Sequence, residues 1–122
     1  MWKVSREKFQ KLVNDAISSL PKDKIDNLKN VAILVEDYPS AEQRTELKLR
    51  GDQTLLGLYE GVPLSQRQGQ TKILPDKITL FQNPLEWKSD SEKGLLEEIR
   101  HTLWHEIAHY YGLDHDAIAK LE

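Results

Sequence analysis

The apolar residues of this chain follow two periodicities, which predict the order of its helices and strands. From residues 5 to 20, and again from about residue 92 to Gly112, apolar side chains recur every three or four positions, as in an amphipathic helix. Ser5 is a suitable N-cap for the first helix and Pro21 ends it. Apolar residues that would form the core-facing stripe of the second helix are Leu95, Leu96, Ile99, Leu103 and Ile107.

Three short segments between these helices have the character of strands. Residues 31–35 are continuously apolar and rich in β-branched side chains, which is typical of a strand buried on both faces, so we expect the central strand here. Residues 54–60 form a second strand, interrupted by Gly57 at a bulge or a close backbone approach. Residues 77–81 alternate in polarity, which indicates a third strand with one face toward water.

The connecting segments carry weaker signals. Residues 22–30 are polar and are interpreted as a connector, and residues 61–74 as a mobile loop. Ser40 and Gln43 have the spacing of a capping box for a short helix that Gly51 would end.

Composition limits the classes of function. The chain has 122 residues, and we expect one domain over residues 1–122. Its 17 basic and 20 acidic residues give a net charge of −3, so we expect no nucleic-acid partner. No apolar stretch approaches a membrane span or a secretion signal, which favours a cytoplasmic protein without a membrane partner. With no cysteine, metal ligands must be His, Asp or Glu.

The strongest chemical signal is the pattern HExxHxxGxxH at residues 105–115. On a helix, His105 and His109 lie one turn apart, so both imidazoles can bind one metal ion. Hydrolytic zinc sites usually have three protein ligands, and His115 is the candidate for the third. Gly112 can adopt a positive φ, end the helix and turn the chain back toward the metal. We therefore predict one Zn²⁺ per chain.

Glu106 directly follows the first histidine and is the predicted general base. Three neutral imidazoles leave the ion its full charge, which can lower the pKa of a bound water toward about 7. Glu106 would take the proton as this water attacks a polarised carbonyl, and hand it to the departing amine. The expected partner is therefore a peptide or protein substrate.

Other polar and aromatic residues near the motif have open roles. His101 is expected at the rim of the site, because three histidines along one straight helix cannot converge on a small ion. Tyr59, Tyr110 and Tyr111 are either donors to a developing oxyanion or ordinary packing residues. The three tryptophans are interpreted as packing residues, with Trp104 in the core beneath the site.

The aspartates beside His115 are also ambiguous. Asp114 or Asp116 could accept a hydrogen bond from the imidazole of His115 and fix its tautomer. Either residue could equally cap a final helix.

Beyond the motif, the chain resembles the small bacterial zincin-like metallopeptidases that are often described as minimal metalloproteases. The segments that carry the resemblance are VAILVEDYPS (31–40), LLGLYEGVPL (55–64), LPDKITLFQNPLE (74–86) and EIRHTLWHEIAHYYGLDHD (98–116). The resemblance implies a compact α+β domain, with a small mixed sheet of about three strands packed against the active-site helix and an N-terminal helix.

The resemblance also implies roles for individual residues. His105, His109 and His115 would be the zinc ligands and Glu106 the catalytic acid and base. In the wider zincin group an edge strand near the metal binds extended peptide, which nominates residues 77–81 or 54–60. True metzincins have a methionine turn beneath the zinc, whereas the one methionine here is Met1, so that support is missing or made by other residues.

Two other functions compete with a peptidase. A bacterial rRNA-maturation family of metal-dependent endoribonucleases has the pattern HGxxHxxGxDH, and Gly112, Asp114 and His115 match its end. Glu106 argues against that family, which has glycine at this position. The third possibility is a catalytically inactive zinc-binding module.

Overall fold

The computed structural model describes residues 1–51, 54–61 and 76–112. These residues form five helices and three short strands. In chain order the elements are α1 (Arg6–Ser19), α2 (Lys22–Asp26), β1 (Val31–Glu36), α3 (Ala41–Glu46), β2 (Gly57–Glu60), β3 (Asp76–Phe81), α4 (Gln82–Lys88) and α5 (Glu92–Tyr111).

The three strands form one mixed sheet in the order β1-β3-β2. β1 is parallel to β3, with Val31 opposite Asp76, whereas β2 is antiparallel to β3, with Gly57 opposite Leu80. The prediction of a central strand at residues 31–35 is therefore wrong, because β3 is hydrogen-bonded on both sides. β1 is an edge strand, and Leu34 is 40% exposed on it.

The central position of β3 also corrects the prediction that one of its faces meets water. Ile78, Leu80 and Phe81 are fully buried and Thr79 is 3% exposed, so Lys77 is the one exposed residue of this strand. Threonine is polar in a sequence pattern, but its branched side chain fits a covered sheet. Alternation alone could not separate a buried threonine from a solvated one.

The core lies where α5 packs against the sheet and α1 packs against α5. Four residues of the predicted α5 stripe are fully buried, and the fifth, Leu96, is partly buried. From α1 the buried residues are Phe9, Leu12, Val13 and Ala16. The predicted α+β class, with a three-stranded mixed sheet against an N-terminal and a C-terminal helix, is confirmed.

Helix caps confirm several of the predicted boundaries. The Ser5 hydroxyl accepts from the Lys8 amide at 3.1 Å and begins α1, and Ser91 begins α5 in the same way. The capping box of Ser40 and Gln43 is present at α3. Gly51 does not end α3, however, because the helix stops at Glu46.

Two helices were not predicted. α2 occupies part of the predicted connector, and α4 follows β3 without a break. Pro84 lies in the first turn of α4, where the lack of an amide hydrogen removes no helical hydrogen bond. Apart from Gly61, the predicted loop at 61–74 lies outside the described residues. Within the described ranges, no helix is long and apolar enough to cross a membrane.

The packing of α5 leads to a stability prediction. Leu103→Ala should lower the free energy of unfolding by about 2–5 kcal/mol, because it removes a fully buried side chain from the helix that carries the motif. Leu47→Ala is the control: Leu47 is 44% exposed, so its loss should change stability by less than about 0.5 kcal/mol. Urea denaturation measures both, and equal effects would contradict this packing.

Candidate metal centre

The last turns of α5 bring together three of the four predicted site residues. One ligand atom from each of His105, Glu106 and His109 lies within 4.8 Å of the others. The two imidazole centroids are 4.7 Å apart, with the rings nearly perpendicular. As predicted from the helical spacing, the imidazoles of His105 and His109 lie on the same side of α5. The Glu106 carboxylate lies next to them.

Glu106 is buried, and contacts hold its carboxylate in place. The residue is 7% exposed. Its Oε1 accepts a hydrogen bond from the Tyr59 backbone amide at 3.1 Å and lies 3.0 Å from Nδ1 of His109. When Nδ1 donates to this carboxylate, Nε2 of His109 is left unprotonated and can bind a metal.

The contact between Glu106 and Tyr59 joins α5 to β2. Alternate amides of a strand point to opposite edges, so the Tyr59 amide is directed to α5 and not to β3. Sequence reasoning missed this contact, because a backbone amide leaves no mark in a residue pattern. The sequence feature that could have indicated this contact is Gly57, which permits a close approach of the two backbones.

Gly57 allows β2 and α5 to come this close. A Cβ at this position would lie 2.6 Å from Cγ2 of Thr102, 3.3 Å from the Thr79 carbonyl oxygen and 3.5 Å from Cγ of Glu106. Contacts under 3.0 Å are essentially never seen for a real Cβ. The prediction of a close backbone approach at Gly57 is confirmed.

Gly112 ends α5 as the pattern predicts. Its backbone is left-handed, with φ 76° and ψ 25°, and its amide donates to the His109 carbonyl at 3.0 Å. Glycine adopts this conformation without the steric cost that a Cβ imposes. His115 lies outside the described residues, as do Asp114 and Asp116, so the third ligand stays a prediction.

A cleft of about 270 Å³ opens beside His105 and Glu106. Its walls are the segment Thr54 to Gly57 on one side and α5 on the other, with Lys88 from α4. His101 is exposed on this wall, next to His105 and Glu106, which agrees with the predicted rim position.

Two of the three candidate oxyanion donors point into the protein interior. The Tyr59 hydroxyl donates to Oδ2 of Asp76 at 2.8 Å. Tyr110 is fully buried, and its hydroxyl accepts from the Lys29 amide at 3.1 Å. Among the described contacts, these hydroxyl groups bond to Asp76 and to the Lys29 amide, which favours the packing alternative.

Tyr111 also has another partner. Its hydroxyl donates to the Lys24 carbonyl at 2.5 Å. Burial raises the pKa of Tyr111 above its usual value, and the neighbouring Tyr110 and Asp23 add to this shift. Tyr111 therefore ties the end of α5 to α2.

The donor set is suited to a divalent metal ion. The two imidazoles are nitrogen ligands that zinc accepts in proteins without thiolates, and the Glu106 carboxylate lies beside them, hydrogen-bonded to His109. The carboxylate is buried with a backbone donor and an imidazole, so its orientation does not depend on an ion being bound.

A small mixed sheet packed against a helix that carries HExxH is the arrangement expected of zincin-like proteins. The model of the Zincin-like metallopeptidase family matches residues 28–122, so this chain belongs to that family. Among solved structures, the chain is similar to a conserved hypothetical protein from Thermus thermophilus, at 22% identity and a TM-score of 0.60. The alignment covers 88% of this chain and 94% of the other, and it supports the fold. No curated protein gives a significant match.

The close approach at Gly57 predicts a specific clash. Gly57→Ala should destabilise the protein by about 1–3 kcal/mol, because the new methyl group overlaps Thr102 and presses on the Thr79 carbonyl. Chemical denaturation measures the change.

Two further variants test the cause. Gly51→Ala should have little effect, since no atom of the described residues lies within 4 Å of a Cβ there. Adding Thr102→Ser to Gly57→Ala removes Cγ2 and should recover part of the lost stability. If the double variant is no more stable than Gly57→Ala, the clash with Thr102 is not the cause.

Proposed function

We propose that this protein is a zinc-dependent metallopeptidase that cleaves peptide bonds, with Glu106 as its general base. The convergence of His105, Glu106 and His109 at the end of α5 carries the proposal. Membership of the Zincin-like metallopeptidase family supports it.

His105 and His109 would hold the ion through imidazole nitrogens, with His115 as the third ligand. Three neutral ligands would leave a bound zinc ion its positive charge, which would polarise a substrate carbonyl and make a water molecule more acidic. The positive φ of Gly112 supports the assignment of His115, because it ends the helix three residues before this histidine.

Glu106 is suited to move a proton between water and the leaving amine. Among the described contacts, the Tyr59 amide and the His109 imidazole both bond to Oε1. Oε2 is then the oxygen that takes the proton as water attacks the carbonyl and delivers it to the departing nitrogen. Because two hydrogen bonds hold Oε1, the direction of Oε2 is fixed as well.

The substrate would lie along the segment from Thr54 into β2. Of the two nominated strands, residues 77–81 belong to the central strand β3, whose two edges are already hydrogen-bonded. Among the described strands, β2 lies at the edge of the sheet beside Glu106 and is therefore the better candidate for binding an extended peptide.

A ribonuclease is less well supported. The family with HGxxHxxGxDH has glycine at the position of Glu106, whereas here a buried carboxylate contacts one of the proposed ligands. The net charge of −3 also does not favour a phosphate backbone.

Replacing the proposed base separates catalysis from binding. Glu106→Gln should reduce kcat on a cleaved peptide by about 10²–10⁴-fold, because the amide cannot accept the proton. Bound zinc, measured by atomic emission, should stay near that of the parent protein. Equal turnover of the two proteins would mean that Glu106 is not a base.

Replacing a proposed ligand tests the metal site itself. His109→Ala should lose zinc on dialysis against a weak chelator, because one of the three ligands is removed. His101→Ala is the matched control on the same helix and should retain zinc. Retention of zinc by His109→Ala would contradict the ligand assignment.

A further inference from the structure

A second cavity lies next to the proposed catalytic cleft. It has a volume of about 420 Å³, within the range of about 300–1,000 Å³ that is usual for ligand pockets. Its walls come from the N-terminal segment, the turn after β1, the segment before β2, and α4. The lining residues are Met1, Lys3, Tyr38, Thr54, Asn83, Pro84 and Trp87.

Two aromatic side chains in this cavity are unusually exposed. Trp87 is 71% exposed and Tyr38 is 64% exposed. The interpretation of Trp87 as a packing residue is therefore wrong. Clustered, exposed apolar side chains are typical of binding sites, and tryptophan and tyrosine provide large contact areas at small entropic cost.

The cavity is adjacent to the cleft. Thr54 lines both, and the consecutive residues Trp87 and Lys88 line the cavity and the cleft respectively. The Phe81 amide donates to the Leu56 carbonyl at 3.0 Å, which holds the segment before β2 against the start of α4. One stretch of chain therefore borders both spaces.

The length of that stretch limits which part of a substrate can reach the cavity. Thr54 lies three residues before Gly57, where a Cβ would be 3.5 Å from Cγ of Glu106. Three residues of chain span at most about 10–11 Å when fully extended. An extended peptide over Glu106 would thus place in the cavity a side chain within about three residues of the scissile bond.

We propose that this cavity is a specificity subsite for a large apolar, preferably aromatic, side chain of the peptide substrate. The proposal rests on the proposed peptidase function and adds the class of substrate. Trp87 and Tyr38 form the apolar walls. The subsite is distinct from the metal centre, so binding to it can be measured without catalysis.

The direct test is peptide binding to zinc-loaded Glu106→Gln protein, followed through its tryptophan indole N–H signals by NMR. The probes are two acetylated and amidated pentapeptides, one of alanines with a single phenylalanine and one of alanine throughout. The Trp87 signal, assigned by its loss in Trp87→Phe, should shift with the phenylalanine peptide. We expect its Kd to be at least about tenfold lower than that of the alanine peptide.

The control residues are the other two tryptophans. Trp104 is 3% exposed in the core, and Trp2 is 41% exposed but does not line the cavity, so neither signal should move as the Trp87 signal does. Absence of a Trp87 shift, or equal affinity for the two peptides, would overturn the proposal.

Cleavage of a peptide library tests the same subsite during turnover. The parent protein should prefer aromatic residues at one position within three residues of the cleaved bond. Trp87→Ala should reduce that preference about tenfold. Trp2→Ala is the control and should keep the preference. Cleavage with no such preference would overturn the subsite and leave the peptidase intact. A Trp87 shift without any cleavage would support the subsite and count against the peptidase.

Discussion

The hydrogen bond from the Tyr59 amide to the Glu106 carboxylate is the contact on which the site depends. The carboxylate of a buried glutamate needs donors, because removing its charge from water without them costs several kcal/mol. The donor is a backbone group of β2, so the position of the proposed base is set by the sheet. The approach of β2 to α5 at Gly57 makes that bond possible.

The sheet in turn determines where β2 can lie. β3 is central and almost fully buried, and it pairs with β2 through the register of Gly57 with Leu80. This register brings Gly57 to Thr102 and Glu106 on α5, and it brings Thr54 to the start of α4. The pairing of β2 with β3 therefore explains why the segment before β2 borders both the metal centre and the aromatic cavity.

The aromatic residues near the motif divide by what their polar atoms contact. Tyr110 and Tyr111 anchor the end of α5 through bonds to Lys29 and Lys24, so their role is to hold the helix that presents the histidines. Trp87 instead remains exposed beside the cleft. Burial and hydrogen bonding separate supporting aromatics from available ones, which residue type alone does not.

The sequence by itself determined the features that depend on neighbours in the chain. The spacing of His105 and His109, the Ser5 cap and the left-handed Gly112 all follow from helical periodicity and local backbone sterics, and the structure shows each of them. Such features need no knowledge of distant residues.

Only the tertiary structure decided which strand is central, since an apolar run at 31–35 fits an edge strand as well as a buried one when helices cover one face. It also decided that the amide of Tyr59, rather than its hydroxyl, meets Glu106, and that Trp87 borders an open cavity. These outcomes depend on pairing between segments far apart in the chain, and such pairing cannot be predicted from the local pattern of apolar and polar residues.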